Sequence, residues 1–255
     1  MSADVLALLA LCFLIISFLY ASVGFGGGSS YLALLALVVT NVAGVRTTAL
    51  LCNLVVVSGS VYWYYRRGHL SIKEFLPFGL VSVPMAYLGA SFRLSEQVFY
   101  VLLGATLIVS ASLLLRRTLR PAKPSEPRAY PASLAWWVGG GIGLLAGLVG
   151  IGGGIFLAPL LHHLRWDTPV RIAALASFFI LVNSTAGLVG FASAGSLRTD
   201  SVETPVLLAA VLLGGQLGIR LSLRRFSGRQ IRLVTAVLVL VVGVRVLLVN
   251  GLGVV

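Results

Sequence analysis

A six-residue glycine string occurs twice in the sequence, and each copy interrupts a stretch of apolar residues. Residues 23–28 read Val-Gly-Phe-Gly-Gly-Gly, and residues 149–154 read Val-Gly-Ile-Gly-Gly-Gly, so the copies differ at one position. Consecutive glycines destabilise a helix interior by about 1 kcal/mol each relative to alanine. Each string is therefore predicted to end one helix and to begin another.

The composition indicates a membrane protein. Of the 255 residues, 58% are hydrophobic and 10% are charged, whereas soluble domains carry about 25% charged residues. The formal net charge of +12 would also suit a nucleic-acid-binding protein. The basic residues, however, lie in short loops between apolar runs, which is typical of helical membrane proteins. We therefore predict an all-α polytopic membrane protein that contacts the lipid bilayer and binds no nucleic acid.

Ten apolar segments divide into two repeats of five, with a glycine string after the first segment of each repeat. The first repeat is predicted to cover residues 1–115, a basic cytoplasmic linker residues 116–132, and the second repeat residues 133–255. The second and seventh segments are short of the roughly 20 residues that span a bilayer core. The predicted segments are 5–21, 29–42, 45–65, 75–92, 98–115, 134–148, 155–164, 170–191, 206–219 and 231–249.

The distribution of basic loops predicts how the repeats are oriented. The densest basic loops follow segments three, five and nine, and basic loops stay in the cytoplasm. All three basic loops lie in the cytoplasm only if every segment crosses the membrane, the amino terminus is outside and the two repeats are inverted. If segments two and seven were re-entrant, the basic loop after segment nine would lie outside.

The two glycine breaks are predicted to form a binding site for a small anion. A single break would be better explained by close helix packing, but paired breaks at matching points of two halves point to a transport site. A helix that begins after a glycine break presents free N–H groups and a positive dipole end, which suit an anion. The residues predicted to bind it are Gly26, Gly27, Gly28, Ser29, Ser30, Asn53, Gly152, Gly153, Gly154, Asn183 and Ser184.

The polar and basic side chains within the segments each allow two interpretations. The amides of Asn53 and Asn183 either donate to substrate oxygens or hydrogen-bond a neighbouring helix. Arg46 and Arg171 occupy matching positions in the two repeats. They either attract anions at the two mouths or extend their charged ends to the membrane interface.

No residue pattern predicts an enzyme, a metal site or a cofactor. The acidic residues fall at segment ends or in loops, so no intramembrane carboxylate accompanies the serines and asparagines as a base or ligand. Proton coupling and a homodimer stay open.

The paired glycine strings, the short segments that follow them and the basic central loop resemble the sulfite exporter TauE/SafE family. The second copy and the residues after it, Ile155 to Leu161 with Pro159, are most similar to the family pattern, whereas the first copy has no matching proline. The resemblance implies a multi-pass permease of the prokaryotic inner membrane that exports a small anion such as sulfite or an organosulfonate. We expect a secondary transporter that works by alternating access of the two repeats. The alternative is an anion channel on the same scaffold.

Overall fold

The computed structural model describes residues 2–36, 38–39, 41–92, 94–119, 130–198, 203–222 and 228–253. Within these ranges the regular structure is helical throughout, which confirms the predicted all-α class. The helices are α1 (Ala3–Ala21), α2 (Gly28–Ala36), α3 (Val42–Arg66), α4 (Ile72–Ser91), α5 (Glu96–Leu119), α6 (Ala132–Val149), α7 (Gly154–Leu164), α8 (Pro169–Ser193), α9 (Glu203–Ser222) and α10 (Gly228–Arg245), followed by a π-helical turn (Val246–Gly251).

The predicted segments correspond one to one with these helices, and the main difference lies at the end of the second segment. The second segment was predicted to reach residue 42, but α2 ends at Ala36 and α3 begins at Val42. The start of α3 is set by Asn41, whose side chain accepts hydrogen bonds from the N–H groups of Ala43 and Gly44 and so caps the helix. Residues 120–129 of the predicted linker lie outside the described residues.

Five of the described helices are long and apolar enough to cross a membrane, namely α1, α3, α5, α8 and α9. In contrast, α2 has 9 residues and α7 has 11. At 1.5 Å per residue, each covers only about half of a bilayer core. Residues 24–28 and 149–154 are buried, so the glycine breaks that precede these two helices lie in the interior of the structure.

Two helix pairs pack closely in a parallel direction, and both join the first half of the chain to the second. Three glycines spaced four residues apart on α6 lie against three residues with the same spacing on α4, in the pairs Gly139–Phe78, Gly143–Ser82 and Gly147–Ala86. On the other side of the molecule, Gly214 and Gly218 of α9 lie against Leu14 and Phe18 of α1. Such spacing of small residues lets helix backbones approach closely.

Two further pairs run antiparallel, and each joins helices at matching positions in the two halves. Between α3 and α8, Arg46 lies against Phe191 and Leu50 against Gly187. Between α5 and α10 with its π-helical turn, Gly104 lies against Leu247 and Gly243 against Leu107. The α3–α8 pair is the most deeply buried of the apolar spans, so it forms the centre of the fold.

The close α4–α6 contact predicts a selective effect of adding one methyl group. In Gly143→Ala, the new Cβ atom would lie 2.6 Å from the carbonyl oxygen of Ser82, and overpacking of this kind costs about 1–3 kcal/mol. In the matched variant Gly141→Ala, the Cβ atom would meet no atom within 4 Å. Thermal unfolding in detergent should therefore show a lower melting temperature for Gly143→Ala and no loss for Gly141→Ala. Equal melting temperatures would contradict the packing.

Candidate functional site

Each glycine break ends in a backbone conformation that favours glycine. Gly27, immediately before α2, has φ of 90°, and Gly153, immediately before α7, has φ of 82°. Side chains other than hydrogen clash with the backbone in this left-handed region. The two residues occupy the same position in the repeated string, so both breaks enter the following helix by a similar turn.

The turns leave free hydrogen-bond donors at the start of both short helices. In α2 the first N–H groups to find an acceptor are those of Ser30 and Tyr31, which donate to the carbonyl of Gly27. In α7 they are those of Phe156 and Leu157, which donate to the carbonyl of Gly153. No described residue accepts from the N–H groups just before them, as expected for the first turn of a helix. Both short helices therefore direct donors and a positive dipole end toward the interior.

Asn53, in the middle of α3, lies between the two breaks. A Cβ atom at Gly26 would overlap the Asn53 Oδ1 atom, and one at Gly28 would overlap its Nδ2 atom. A Cβ atom at Gly152 would lie 3.2 Å from the same Nδ2 atom. The start of α2 and the second break thus meet on one fully buried amide.

Hydrogen bonds hold each break to the central helix of the opposite half. Nδ2 of Asn53 on α3 donates to the carbonyl of Ile151 in the second break, at 2.9 Å. The hydroxyl of Ser177 on α8 donates to the carbonyl of Gly24 in the first break, at 2.8 Å. These bonds satisfy carbonyl groups that a broken helix would otherwise leave unpaired in the interior of a membrane protein.

The structure brings together one part of the predicted site. Ser184 joins Asn53 beside the second break, because a Cβ atom at Gly152 would lie 2.8 Å from its Oγ atom. The residues that meet at this point are Gly26, Gly28, Asn53, Gly152 and Ser184. We call this group the Asn53 cluster.

Other predicted site residues face elsewhere. A Cβ atom at Gly27 would meet Tyr31, one at Gly153 would meet Phe179, and one at Gly154 would meet Ile180. The Nδ2 atom of Asn183 donates to the Phe179 carbonyl within its own helix, at 2.8 Å, and no described contact connects Asn183 to the breaks.

Ser29 and Ser30, predicted as substrate donors, instead lie next to Tyr20 at the end of α1. The Tyr20 hydroxyl lies 2.8 Å from Oγ of Ser30 and 3.5 Å from Oγ of Ser29. Both serines are buried, so their hydroxyls connect α1 to α2. Their predicted role in binding remains a prediction.

Sequence reasoning missed Tyr20 and Ser177, which position the first break. A serine within an apolar helix commonly bonds a carbonyl one turn earlier in its own helix. The Oγ atom of Ser177 lies 3.0 Å from the Ala173 carbonyl as well as 2.8 Å from the Gly24 carbonyl, so the two carbonyls share its single proton. No local signal in the sequence distinguishes this serine from one that bonds only its own helix.

Three side chains near the breaks keep buried polar atoms that find no hydrogen-bond partner among the described residues. They are the Oδ1 atom of Asn53, the Oγ atom of Ser184 and the Nε atom of Arg46. Such atoms are rare in native structures, and each calls for a hydrogen-bond partner such as water, an ion or a ligand. Among the described residues, no cluster of His, Cys, Asp and Glu suits a metal ion.

Arg46 is buried and positions the end of the helix that precedes the second break. Its guanidinium donates to the carbonyls of Gly147 and Leu148 at the end of α6, both at 2.9 Å. Its Cζ atom lies 4.3 Å from the ring centre of Phe191 and 5.7 Å from that of Phe99. A cation is stabilised both by the carbonyl end of a helix and by aromatic faces. With 6% of its surface exposed, Arg46 is enclosed by protein.

Arg171, which occupies the matching position in the second half, has different surroundings. It forms ion pairs with Glu74, at the start of α4, and with Asp167, at 3.0 Å. Its side chain is 32% exposed. The two arginines that the repeat relates are therefore unequal, since one is fixed inside the structure and the other lies near the surface.

This difference predicts unequal effects of removing the two charges. Arg46→Met leaves two buried carbonyls without a donor, which costs about 1–3 kcal/mol. Arg171→Met removes only partly exposed ion pairs, worth about 0–1 kcal/mol. Thermal unfolding in detergent should show a clearly lower melting temperature for Arg46→Met and a small change for Arg171→Met. A larger loss in Arg171→Met would contradict the assignment.

Comparisons with known proteins identify the family of the chain. The sequence model of the family described as sulfite exporter TauE/SafE matches residues 9–246. The chain is also 34% identical over 241 residues to the probable membrane transporter protein y4hK of Sinorhizobium fredii (strain NBRC 101917 / NGR234). That alignment covers 94% of this chain and 97% of the relative. The chain is therefore a multi-pass membrane transporter of the sulfite exporter TauE/SafE family.

Proposed function

We propose that the protein is a secondary carrier that binds a small oxyanion or sulfonate, with sulfite as the first candidate, at the Asn53 cluster. The observation that carries the proposal is the approach of the start of α2 and of the second glycine break, at Gly152, to one buried amide. Free N–H groups and positive dipole ends from α2 and α7 suit negative charge. The family description supports sulfite as the ion to test first.

The packing of the helices supports two inverted repeats as the basis of transport. Helices at the same position in the two halves are equivalent, so that α1 corresponds to α6 and α4 to α9. When each helix is replaced by its equivalent, every close pair becomes a close pair again, as the α4–α6 pair becomes the α9–α1 pair. Equivalent helices α3 and α8 run antiparallel, and so do α5 and α10. Antiparallel equivalents are what inverted repeats produce, and such repeats alternate access by moving against each other around a site near the midplane.

Charge and membrane potential support export as the direction. Arg66 ends α3, Arg67 follows it and Lys73 lies in the first turn of α4, so the positive-inside bias puts that end of α3 in the cytoplasm. In a bacterial inner membrane the negative interior favours the exit of an anion, by about 2.3 kcal/mol per charge per 100 mV. Proton coupling is a separate hypothesis, which an imposed pH gradient would test in the assay below.

The function is tested by sulfite efflux from proteoliposomes under an imposed potential. In Gly28→Ala the new methyl group would overlap Nδ2 of Asn53. Even a small displacement of a group in a binding site lowers the rate strongly, so the efflux rate should fall about tenfold or more. Gly141→Ala, whose methyl group meets nothing within 4 Å, is the matched control and should transport like wild type.

Sulfite placed on the opposite side distinguishes a carrier from a channel. In a carrier, efflux of labelled sulfite should saturate, and unlabelled sulfite on the opposite side should accelerate it by exchange. A channel would show neither saturation nor acceleration. Normal efflux in Gly28→Ala would place the site elsewhere. No sulfite flux in wild type would reject this ion as substrate.

A further inference from the structure

The Asn53 amide presents its oxygen, and not its nitrogen, as the unpaired atom. The Ile151 carbonyl can only accept a hydrogen bond, so the amide atom at 2.9 Å from it must be the nitrogen. The other atom, Oδ1, is therefore an acceptor. It is fully buried and has no donor among the described residues.

This acceptor lies among donors. The start of α2, where Gly28 lies against the Asn53 amide, offers backbone N–H groups, and Ser184, beside Gly152 in the second break, offers a hydroxyl that is also unpaired. These donors suit the charged oxygens of an anion, whereas Oδ1 repels such oxygens and requires a hydrogen on the ligand. A second unpaired amide oxygen, that of Asn183, has no described contact with the breaks.

We propose, on the basis of the function proposed above, that Asn53 makes the site selective for monoanions that carry one hydrogen-bond donor. The ligand class is an oxyanion with a protonated oxygen, such as hydrogen sulfite, or a small sulfonate that bears a hydroxyl or amino group. Its charged oxygens bind the helix starts and Ser184, and its O–H or N–H donates to Oδ1 of Asn53. Anions without a donor, such as the sulfite dianion or a simple alkanesulfonate, leave Oδ1 buried and unpaired.

The expected discrimination is substantial. An unpaired buried acceptor weakens binding by about tenfold to a hundredfold relative to a ligand that satisfies it. Sites built to hydrogen-bond a substrate hydroxyl reject analogues that lack it for the same reason. The selectivity follows from one atom, so replacing that atom should remove it.

The test uses two ligands of equal charge and equal heavy-atom count. Hydroxymethanesulfonate carries a hydroxyl where ethanesulfonate carries a methyl group. Their binding to the full-length protein in detergent is measured by isothermal titration calorimetry, with sulfite as a reference anion. Wild type should bind hydroxymethanesulfonate at least about tenfold more tightly than ethanesulfonate.

Two variants separate the preference from general anion binding. Asn53→Leu keeps a similar volume but lacks the acceptor, so the preference should vanish. Ser184→Ala removes a donor to the charged oxygens, so both ligands should bind more weakly while the preference persists. If Asn53→Leu does not fold, the ligand pair on wild type and on Ser184→Ala still tests the proposal.

Each result supports or overturns the selectivity. Equal binding of both sulfonates to wild type would overturn it and leave the anion site itself intact. A preference that persists in Asn53→Leu would assign the hydroxyl contact to another residue. If neither sulfonate nor sulfite binds wild type, the proposed anion site fails and the selectivity fails with it.

Discussion

The structure depends on how a helix can be broken inside a membrane without leaving its backbone polar groups unpaired. Lipid offers no hydrogen bonds, so the protein must supply every partner. Here each half supplies them to the other, through Ser177 to the carbonyl of Gly24 and through Asn53 to the carbonyl of Ile151. Arg46 adds two further bonds at the end of α6. Each break is therefore held by a side chain from the central helix of the opposite half.

The same arrangement creates an imbalance that a ligand would relieve. The starts of α2 and α7 each contribute about half a positive charge, and the acidic residues that the structure describes lie at or near helix ends. Backbone donors are suited to an anion because they are rigid and need no reorganisation to bind. In the proposed mechanism the ligand is held by both halves, so their relative motion would open the Asn53 cluster first to one side and then to the other.

Much of this fold is predictable because membrane insertion imposes strong rules on a sequence. Apolar length defines the helices, and repeated glycines mark the breaks, so ten helices, two of them short, are predictable from the residues alone. Asn53 was identified because an amide within an apolar segment is uncommon. In contrast, Ser177 and Tyr20 resemble ordinary helix serines and tyrosines, and their importance arises only from contacts between distant segments. Arg46 and Arg171 look equivalent in sequence, yet one binds helix carbonyls and the other binds carboxylates, because the neighbouring helices present different partners.

The central claim, that both helix starts and Asn53 bind one anion, is tested most directly with selenite, a heavier analogue of sulfite. Crystals of the protein soaked in selenite would be measured at the selenium absorption edge. The account predicts one selenium peak, placed so that the oxygens of the selenite lie within hydrogen-bonding distance of Asn53 and of the N–H groups that begin α2 and α7. A peak beside Arg46 or Arg171 with none at Asn53 would contradict it, because the anion would then be held by side-chain charge and not by the paired glycine breaks.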